Sequence, residues 1–202
     1  MTITDASGER ERRKRQQSSE AKIVAAIAAG DSEALSELYD RYSGMLLGLA
    51  TKVLRDSGEA EEVLQEAMLQ AWRQASRYDP SRSSVSTWLV LITRSRAIDR
   101  LRSRKVVQKT VTAAQHEKVS MHTSPEGVGN VFMLERRKRL AVELARLPQE
   151  QRQVLEMAFY QGMTQSEISS RTDTPLGTVK TRTLLAMRKL RKALSEEVED
   201  LL

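Results

Sequence analysis

The side chains with the clearest potential for chemistry form a basic, threonine-rich cluster near residue 180. Arg and Lys can donate hydrogen bonds to guanine, and the methyl and hydroxyl groups of Thr can contact thymine or phosphate. Such side chains in the first turns of a helix are typical of base reading in the DNA major groove. The sequence therefore predicts a DNA-contacting surface formed by Thr178, Lys180, Thr181, Arg182, Leu185 and Arg188.

Two helix-start signals precede and position this cluster. Thr164 and Glu167 have the spacing of a capping box, in which a hydroxyl and a carboxylate cap each other's backbone groups. Thr174 and Pro175 indicate a second start, because the residue before proline favours an extended backbone and proline suits the first helical turn. Two starts about ten residues apart predict a helix-turn-helix, although an ordinary helical hairpin would give the same signals.

A second basic cluster lies on the helix expected for "STWLVLITRSRAIDRLRSRK", which ends at Lys105. Its apolar residues, Trp88 and Ile98 among them, supply a buried side. A helix with one buried and one cationic side is typical of an element that contacts nucleic-acid phosphates, although many basic helices simply face solvent. The cationic side chains are Arg94, Arg96, Arg100, Arg102, Arg104 and Lys105.

An acidic cluster, in "DSGEAEEVLQE", contains no basic residue. On a helix, Glu62 and Glu66 are four residues apart and share a face with Glu59. Like charges at that spacing mildly destabilise an isolated helix. Either this surface has a basic partner, or it is a solvated face supported by the dipole at the helix N-terminus, and the sequence leaves both open. The cluster is formed by Asp56, Glu59, Glu61, Glu62 and Glu66.

Catalytic and metal-binding residue types are scarce. The chain has no cysteine, which excludes disulfides, thiol catalysis and thiolate metal sites. Its only histidines, His116 and His122, lie in a segment without helical periodicity, so a two-histidine metal site is not expected. We identify no catalytic residue, no metal ligand and no cofactor site. A nuclease or other hydrolase is disfavoured, because the carboxylates concentrate on one helix without a His, Cys or phosphate-loop constellation.

The N-terminus and the hydropathy of the chain bear on its location. "MTITDASGERERRKRQQSSE" has no hydrophobic stretch after its charges, so it is not a secretory signal. No apolar run approaches the ~20 residues that cross a bilayer. The sequence therefore predicts a cytoplasmic protein without a membrane span, and its modest net charge of +6 says little by itself.

Helix-forming residues dominate the composition, which predicts an all-α fold. We expect two small helical domains and a flexible linker: a disordered basic tail at 1–20, a first domain at 21–105, the linker at 106–131 and a second domain at 132–202. After Asp31 or Ser32 a helix should bury Leu35, Leu38, Tyr42, Leu46, Leu49 and Val53. After a turn at 56–58 the next should bury Val63, Leu64, Ala67, Met68, Ala71 and Trp72.

Five motifs in sequence order resemble those of the extracytoplasmic-function (ECF) sigma factors, RNA polymerase subunits of the sigma-70 family. "AIAAGDSEALSELYDRY" is similar to the first helix pair of that family, and "GEAEEVLQEAMLQAWR" to its acidic "AED-x-x-QE" helix. "STWLVLITRSRAIDRLR" resembles its "WL-x-x-IARN-x-x-D-x-x-R" helix, with Ser95 in place of Asn. "LPQEQRQVLEMAFYQGMTQSEIS" and "PLGTVKTRTLLAMRKLRKAL" are similar to its C-terminal scaffold and recognition helices.

The resemblance implies a sigma region 2 domain and a sigma region 4 domain that share the work of promoter recognition. Core RNA polymerase would bind, through the clamp coiled coil of its β′ subunit, to Glu61, Glu62, Gln65 and Glu66. The −10 element would be melted, with one base flipped from the stack, and contacted by Tyr78, Asp79, Arg82, Ser83, Ser84, Ser95, Arg96 and Arg100. The C-terminal domain would bind the −35 duplex and the β flap, and an anti-sigma factor is an expected partner.

The sequence also allows other functions. An autonomous helix-turn-helix regulator would share the "GTVKTR"-like recognition helix, but it would leave the acidic helix and the "WL" helix unexplained. Tyr78 lies in the expected loop and could either stack on an unpaired base or pack within the protein. Trp72 and Trp88 fall on apolar helix faces, which favours core packing.

Overall fold

The computed structural model describes the backbone of residues 17–111 and 131–199 and the side chains of residues 17–104 and 138–194. These ranges fall in two compact units, each described here by itself. All regular structure within them is helical, which confirms the all-α prediction. Most of the tail expected at 1–20 and of the linker expected at 106–131 lies outside the described residues, as do both histidines.

The described part of the first unit, residues 17–111, contains four α-helices. They are α1 (17–28), α2 (Ser32–Leu54), α3 (Ser57–Gln74) and α4 (Val85–Val111), with a short 3-10 turn at Ala75–Arg77. Asp31 caps α2 by accepting hydrogen bonds from the backbone N–H groups of Glu33 and Ala34, at 2.9 and 3.2 Å. The helix α4 continues to Val111, six residues past the end at Lys105 that the sequence predicts.

The core of the first unit lies where α2, α3 and α4 pack on one another. Of the six residues predicted to face inward on α2, four are buried, whereas Leu35 and Leu49 are partly exposed. On α3 five of the six are buried, and Trp72 is partly exposed, as is common for so large a side chain. The helix α1 adds Ile23, Val24 and Ile27 to the buried set.

Residues 131–199, the described part of the second unit, also form four helices. They are α5 (Val131–Arg146), α6 (Gln149–Tyr160), α7 (Gln165–Thr172) and α8 (Leu176–Glu199). Both α6 and α7 pack on α8. One buried cluster is formed by Val154, Met157, Ile168 and Val179, and a second by Leu147, Ala186 and Leu190. Across the described parts of both units, no helix has an apolar stretch long enough to span a bilayer.

Candidate nucleic-acid interface

The capping box predicted before α7 is confirmed. The backbone N–H of Thr164 donates to Glu167 Oε2 at 2.6 Å, and the backbone N–H of Glu167 donates to Thr164 Oγ1 at 3.2 Å. The helix ends at Asp173, which adopts the left-handed conformation with φ of 48°. The next helix, α8, starts at Leu176, directly after the Thr174–Pro175 signal. This arrangement is a helix-turn-helix.

Side-chain hydrogen bonds stabilise the turn between the two helices. Ser169 Oγ donates to the backbone oxygen of Thr174 at 2.6 Å, and Thr174 Oγ1 donates to the backbone oxygen of Thr172 at 3.2 Å. The backbone N–H of Thr174 also donates to the oxygen of Ser169 at 3.1 Å. Ser169 thus ties α7 to the turn, a role that its size alone does not reveal in the sequence.

The first turns of α8 present one polar face to solvent. Val179 and Ala186 are buried against the unit, which leaves the other side of the helix free. Thr181 donates its hydroxyl hydrogen to the backbone oxygen of Gly177 at 2.9 Å. Of the residues predicted to contact DNA here, Arg182 and Leu185 are partly exposed, and the exposed ones are Thr178, Lys180, Thr181 and Arg188.

The loop between the 3-10 turn and α4 has its own hydrogen-bond network. Tyr78 donates its hydroxyl hydrogen to the backbone oxygen of Ser83 at 2.8 Å, and its ring packs on Trp88 with centroids 5.1 Å apart. Asp79 accepts from the hydroxyl and the backbone N–H of Ser81, at 2.7 and 2.9 Å, and these bonds lower the pKa of Asp79. Ser84 Oγ accepts from the backbone N–H of Thr87 at 3.3 Å. The conformation of the loop is therefore stabilised by hydrogen bonds among its own residues and with the start of α4.

The acidic cluster on α3 has its basic partners inside the chain, on α4. Arg100 donates from Nη1 to Glu62 at 2.7 Å and from Nη2 to Glu66 at 2.8 Å, and the hydrogen bond to Glu62 is the main reason that its pKa is raised. Arg104 donates from Nε to Glu59 at 2.7 Å and from Nη2 to Asp56 at 3.3 Å. Of the two possibilities that the sequence left open, a basic partner is therefore present, and it is intramolecular.

Some other side chains on α3 and α4 do not form ion pairs as close as those of Arg100 and Arg104. Arg96 donates from Nε to Gln70 Oε1 at 2.7 Å, and its Nη1 lies 3.8 Å from Glu66. Glu61 and Gln65 are exposed, and within the part of the chain that the structure describes their side chains form no hydrogen bond or ion pair. A groove of about 250 Å³ runs between the two helices, lined by Glu66, Leu69, Gln70, Arg73, Gln74 and Arg96.

Two family models match the chain, one in each unit. The model described as "Sigma-70 region 2" matches residues 38–106, and the model described as "Sigma-70, region 4" matches residues 144–192. An ECF RNA polymerase sigma factor, SigK of Mycolicibacterium vanbaalenii, is 34% identical over 173 residues, which cover 85% of this chain and 87% of the relative. This chain belongs to the ECF sigma factors of the sigma-70 family.

Other similar proteins and solved structures are also sigma factors. SigK of Mycobacterium tuberculosis is 32% identical over 173 residues, covering 85% of this sigma factor and 91% of that protein. Among solved structures, Rhodobacter sphaeroides SigE, crystallised in complex with the anti-sigma ChrR, is 30% identical, covers 87% of this chain and 98% of its own, and has a TM-score of 0.44.

As a sigma factor, the protein is a specificity subunit that binds core RNA polymerase and directs promoter-specific transcription. The structure brings two of the residues predicted for polymerase binding, Glu62 and Glu66, next to two of those predicted for the −10 element, Arg96 and Arg100. Sequence reasoning missed Gln70, Arg104 and Ser169 as structural contributors. The contact of Gln70 with Arg96 and the contacts of Arg104 could not have been found from their spacing, because they join residues 26 to 50 positions apart along the chain.

Proposed function

We propose that this sigma factor reads promoter DNA with two separate surfaces and binds core polymerase with a third, without catalysis of its own. In this proposal residues 21–105 serve the −10 element and the polymerase, residues 106–131 connect, and residues 132–202 serve the −35 element. The observation that carries the proposal is the exposed polar face at the start of α8, held on a capped helix-turn-helix. Base edges in the major groove are read by such a face.

The −10 surface would combine the loop 78–84 with the adjoining face of α4. The loop holds its shape through its own hydrogen bonds, so it offers a preformed rim for an unstacked base. Because the Tyr78 hydroxyl and ring already have partners, we assign Tyr78 to shaping this rim. Asp79, Arg82, Ser83 and Ser84 would line it, and Ser95 and Arg96, both exposed on α4, would contact the DNA beside it.

The polymerase surface would be the exposed edge of α3. Glu61 and Gln65 face solvent there, and Glu62 and Glu66 are partly or fully exposed beside them even though each also accepts from Arg100. An acidic edge of this kind is complementary to a basic surface such as the β′ clamp coiled coil. The β flap would contact the second unit. We place the protein in the cytoplasm, with an anti-sigma factor as a further partner, as in the complex of SigE with ChrR.

The direct test is run-off transcription with core RNA polymerase on a pool of promoter fragments, with and without the protein. We expect new transcripts with defined start sites, and their aligned upstream sequences should contain both promoter elements. An absence of such transcripts, together with tight binding of the protein alone to a DNA fragment, would contradict the proposal and favour an autonomous regulator.

A change at Glu61 isolates the polymerase surface. We expect Glu61→Lys to lower the affinity for core polymerase by about tenfold, because a like charge would then face the basic partner. Glu61 suits this test better than Glu62 or Glu66, since reversing either of those would also break its pair with Arg100. The measurement is a titration of labelled protein with core enzyme.

The matched control for this titration is Asp40→Lys, which makes the same charge change at an exposed position of α2. It should leave core affinity at the native value. Equal affinities of the Glu61→Lys variant and the native protein would show that the α3 edge is not the polymerase surface.

A further inference from the structure

The arginines on the polar side of α4 use their guanidinium groups in different ways. In Arg100 both terminal nitrogens donate to carboxylates, Nη1 to Glu62 and Nη2 to Glu66. In Arg104 all three nitrogens donate, to Asp56, Glu59 and the backbone oxygen of Leu54. The terminal nitrogens of Arg100 are thus occupied by α3, and those of Arg104 by Leu54 at the end of α2 and by Asp56 just before α3. Both arginines join α4 to its neighbours.

Arg96 is held differently, through its Nε rather than through its terminal nitrogens Nη1 and Nη2. Its Nε donates to Gln70 Oε1 at 2.7 Å, and among the described residues its only other polar contact is with Glu66, 3.8 Å from Nη1. A guanidinium has five N–H donors, and the pair of terminal nitrogens is the part that matches phosphate or the O6 and N7 atoms of guanine. Arg96 therefore keeps its recognition end available.

The amide of Gln70 is itself oriented. Its Nε2 donates to Gln74 Oε1 at 3.4 Å, which leaves Oε1 to accept from Arg96. The chain of hydrogen bonds from Gln74 through Gln70 to Arg96 holds the guanidinium at the rim of the groove between α3 and α4. Holding a rotamer-rich side chain in one geometry reduces the entropy that is lost when it binds.

We propose that Gln70 is a positioning residue for promoter recognition, which presents the terminal nitrogens of Arg96 to the −10 DNA while Arg100 and Arg104 serve to join α3 and α4. This inference rests on the proposed function, and it assigns DNA contact to Arg96 and a structural role to Arg100 and Arg104. Gln70 would contact no DNA, and would act only through Arg96.

The test is a double-mutant cycle in run-off transcription by the holoenzyme. The templates are a promoter fragment recovered from the pool experiment and versions with single substitutions in its −10 element. Gln70→Met keeps the length of the side chain but removes the acceptor, and Gln70→Glu keeps an acceptor. In the native background we expect Gln70→Met to reduce the preference for the recovered −10 sequence by about threefold to tenfold, the factor that one hydrogen bond is worth. Gln70→Glu should restore part of that preference.

In the Arg96→Ala background, Gln70→Met should have no further effect on the −10 preference. A merely structural role would instead add its loss to that of Arg96→Ala, and would lower activity on all templates alike. The control is Gln153→Met, the same replacement at an exposed position of α6, which should leave −10 preference unchanged.

The outcomes separate this inference from the proposed function. If Arg96→Ala reduces −10 preference and Gln70→Met does not, the inference is wrong and the −10 surface stands. If Arg96→Ala leaves the −10 preference unchanged, the proposed −10 surface is wrong at Arg96 and the inference is overturned with it. Additive losses in the double variant also overturn it.

Discussion

Transcription that depends on the −35 element is expected to fall by about 100-fold or more when Lys180 and Arg182 are both replaced by alanine. Each specific contact to a base edge contributes about 1–3 kcal/mol of discrimination, and every 1.4 kcal/mol is a factor of ten. Both side chains lie on the solvent-facing side of α8, where neither contributes to the buried clusters. The measurement is run-off transcription from paired promoters that differ only in the −35 sequence.

A second basic residue on the same helix provides the control. Lys189 is exposed two turns further along α8, where it could contact phosphate but lies beyond the first turns that reach base edges. Lys189→Ala should weaken both promoters of each pair by a similar and smaller factor. Equal loss of core polymerase binding in the Lys180→Ala, Arg182→Ala variant would contradict the assignment of this face to the −35 element. So would a variant that keeps the native ratio of activities on the two promoters of a pair.

Local signals explain why the helix-turn-helix was predictable from sequence. The capping box depends on two residues three positions apart, and the Thr174–Pro175 signal on two adjacent ones, so both can be recognised without knowledge of the fold. The inward faces of α2 and α3 were predictable for a related reason, because helical periodicity reports which side of a helix is buried.

The pairing of α3 with α4 was not predictable in this way. Periodicity shows that the charged residues face away from the core, but not which of them meet across two helices. Arg100 pairs with Glu62 and Glu66 over 38 and 34 residues, and Arg104 with Glu59 over 45. Residues so far apart in sequence come into contact only when the two helices pack together. The C-terminal end of α4 was also placed six residues too early, because the regular helical pattern fades after Lys105, although no Gly or Pro marks a stop before Val111.

The ion pairs between α3 and α4 also change the net charge that the acidic and basic clusters present to a partner. Glu62 and Glu66 neutralise part of the basic side of α4, so the two clusters are less strongly charged than either is in isolation. Because these side chains are partly exposed, each pair contributes only about 0–1 kcal/mol to stability. Their larger consequence is geometric: the proposed polymerase edge and the proposed −10 face are joined by shared side chains, and a change at Arg100 should affect both.

Loss of the Ile168 side chain is expected to separate α7 from the second unit. Ile168 is 0% exposed and is the one buried residue on α7, where it packs with Val154, Met157 and Val179. Truncation of a buried isoleucine to alanine typically costs about 2–5 kcal/mol. A helix of eight residues is not stable without tertiary packing, so this cost should fall on the helix-turn-helix itself.

Ile168→Val is the matched variant, since it removes one methylene and should cost only about 0.5–1.5 kcal/mol. Urea denaturation followed by circular dichroism, with hydrogen exchange of the α7 amides, would compare the two. We expect rapid exchange in α7 and loss of −35-dependent transcription for Ile168→Ala alone. Most of the core binding should remain in both variants, because the α3 edge, unlike the proposed β-flap contact, belongs to the other unit. If the α7 amides exchanged as slowly in the Ile168→Ala variant as in the Ile168→Val variant, the buried side chain would not be what holds α7 in place. The capping box and the hydrogen bonds of the turn would then hold the helix-turn-helix together.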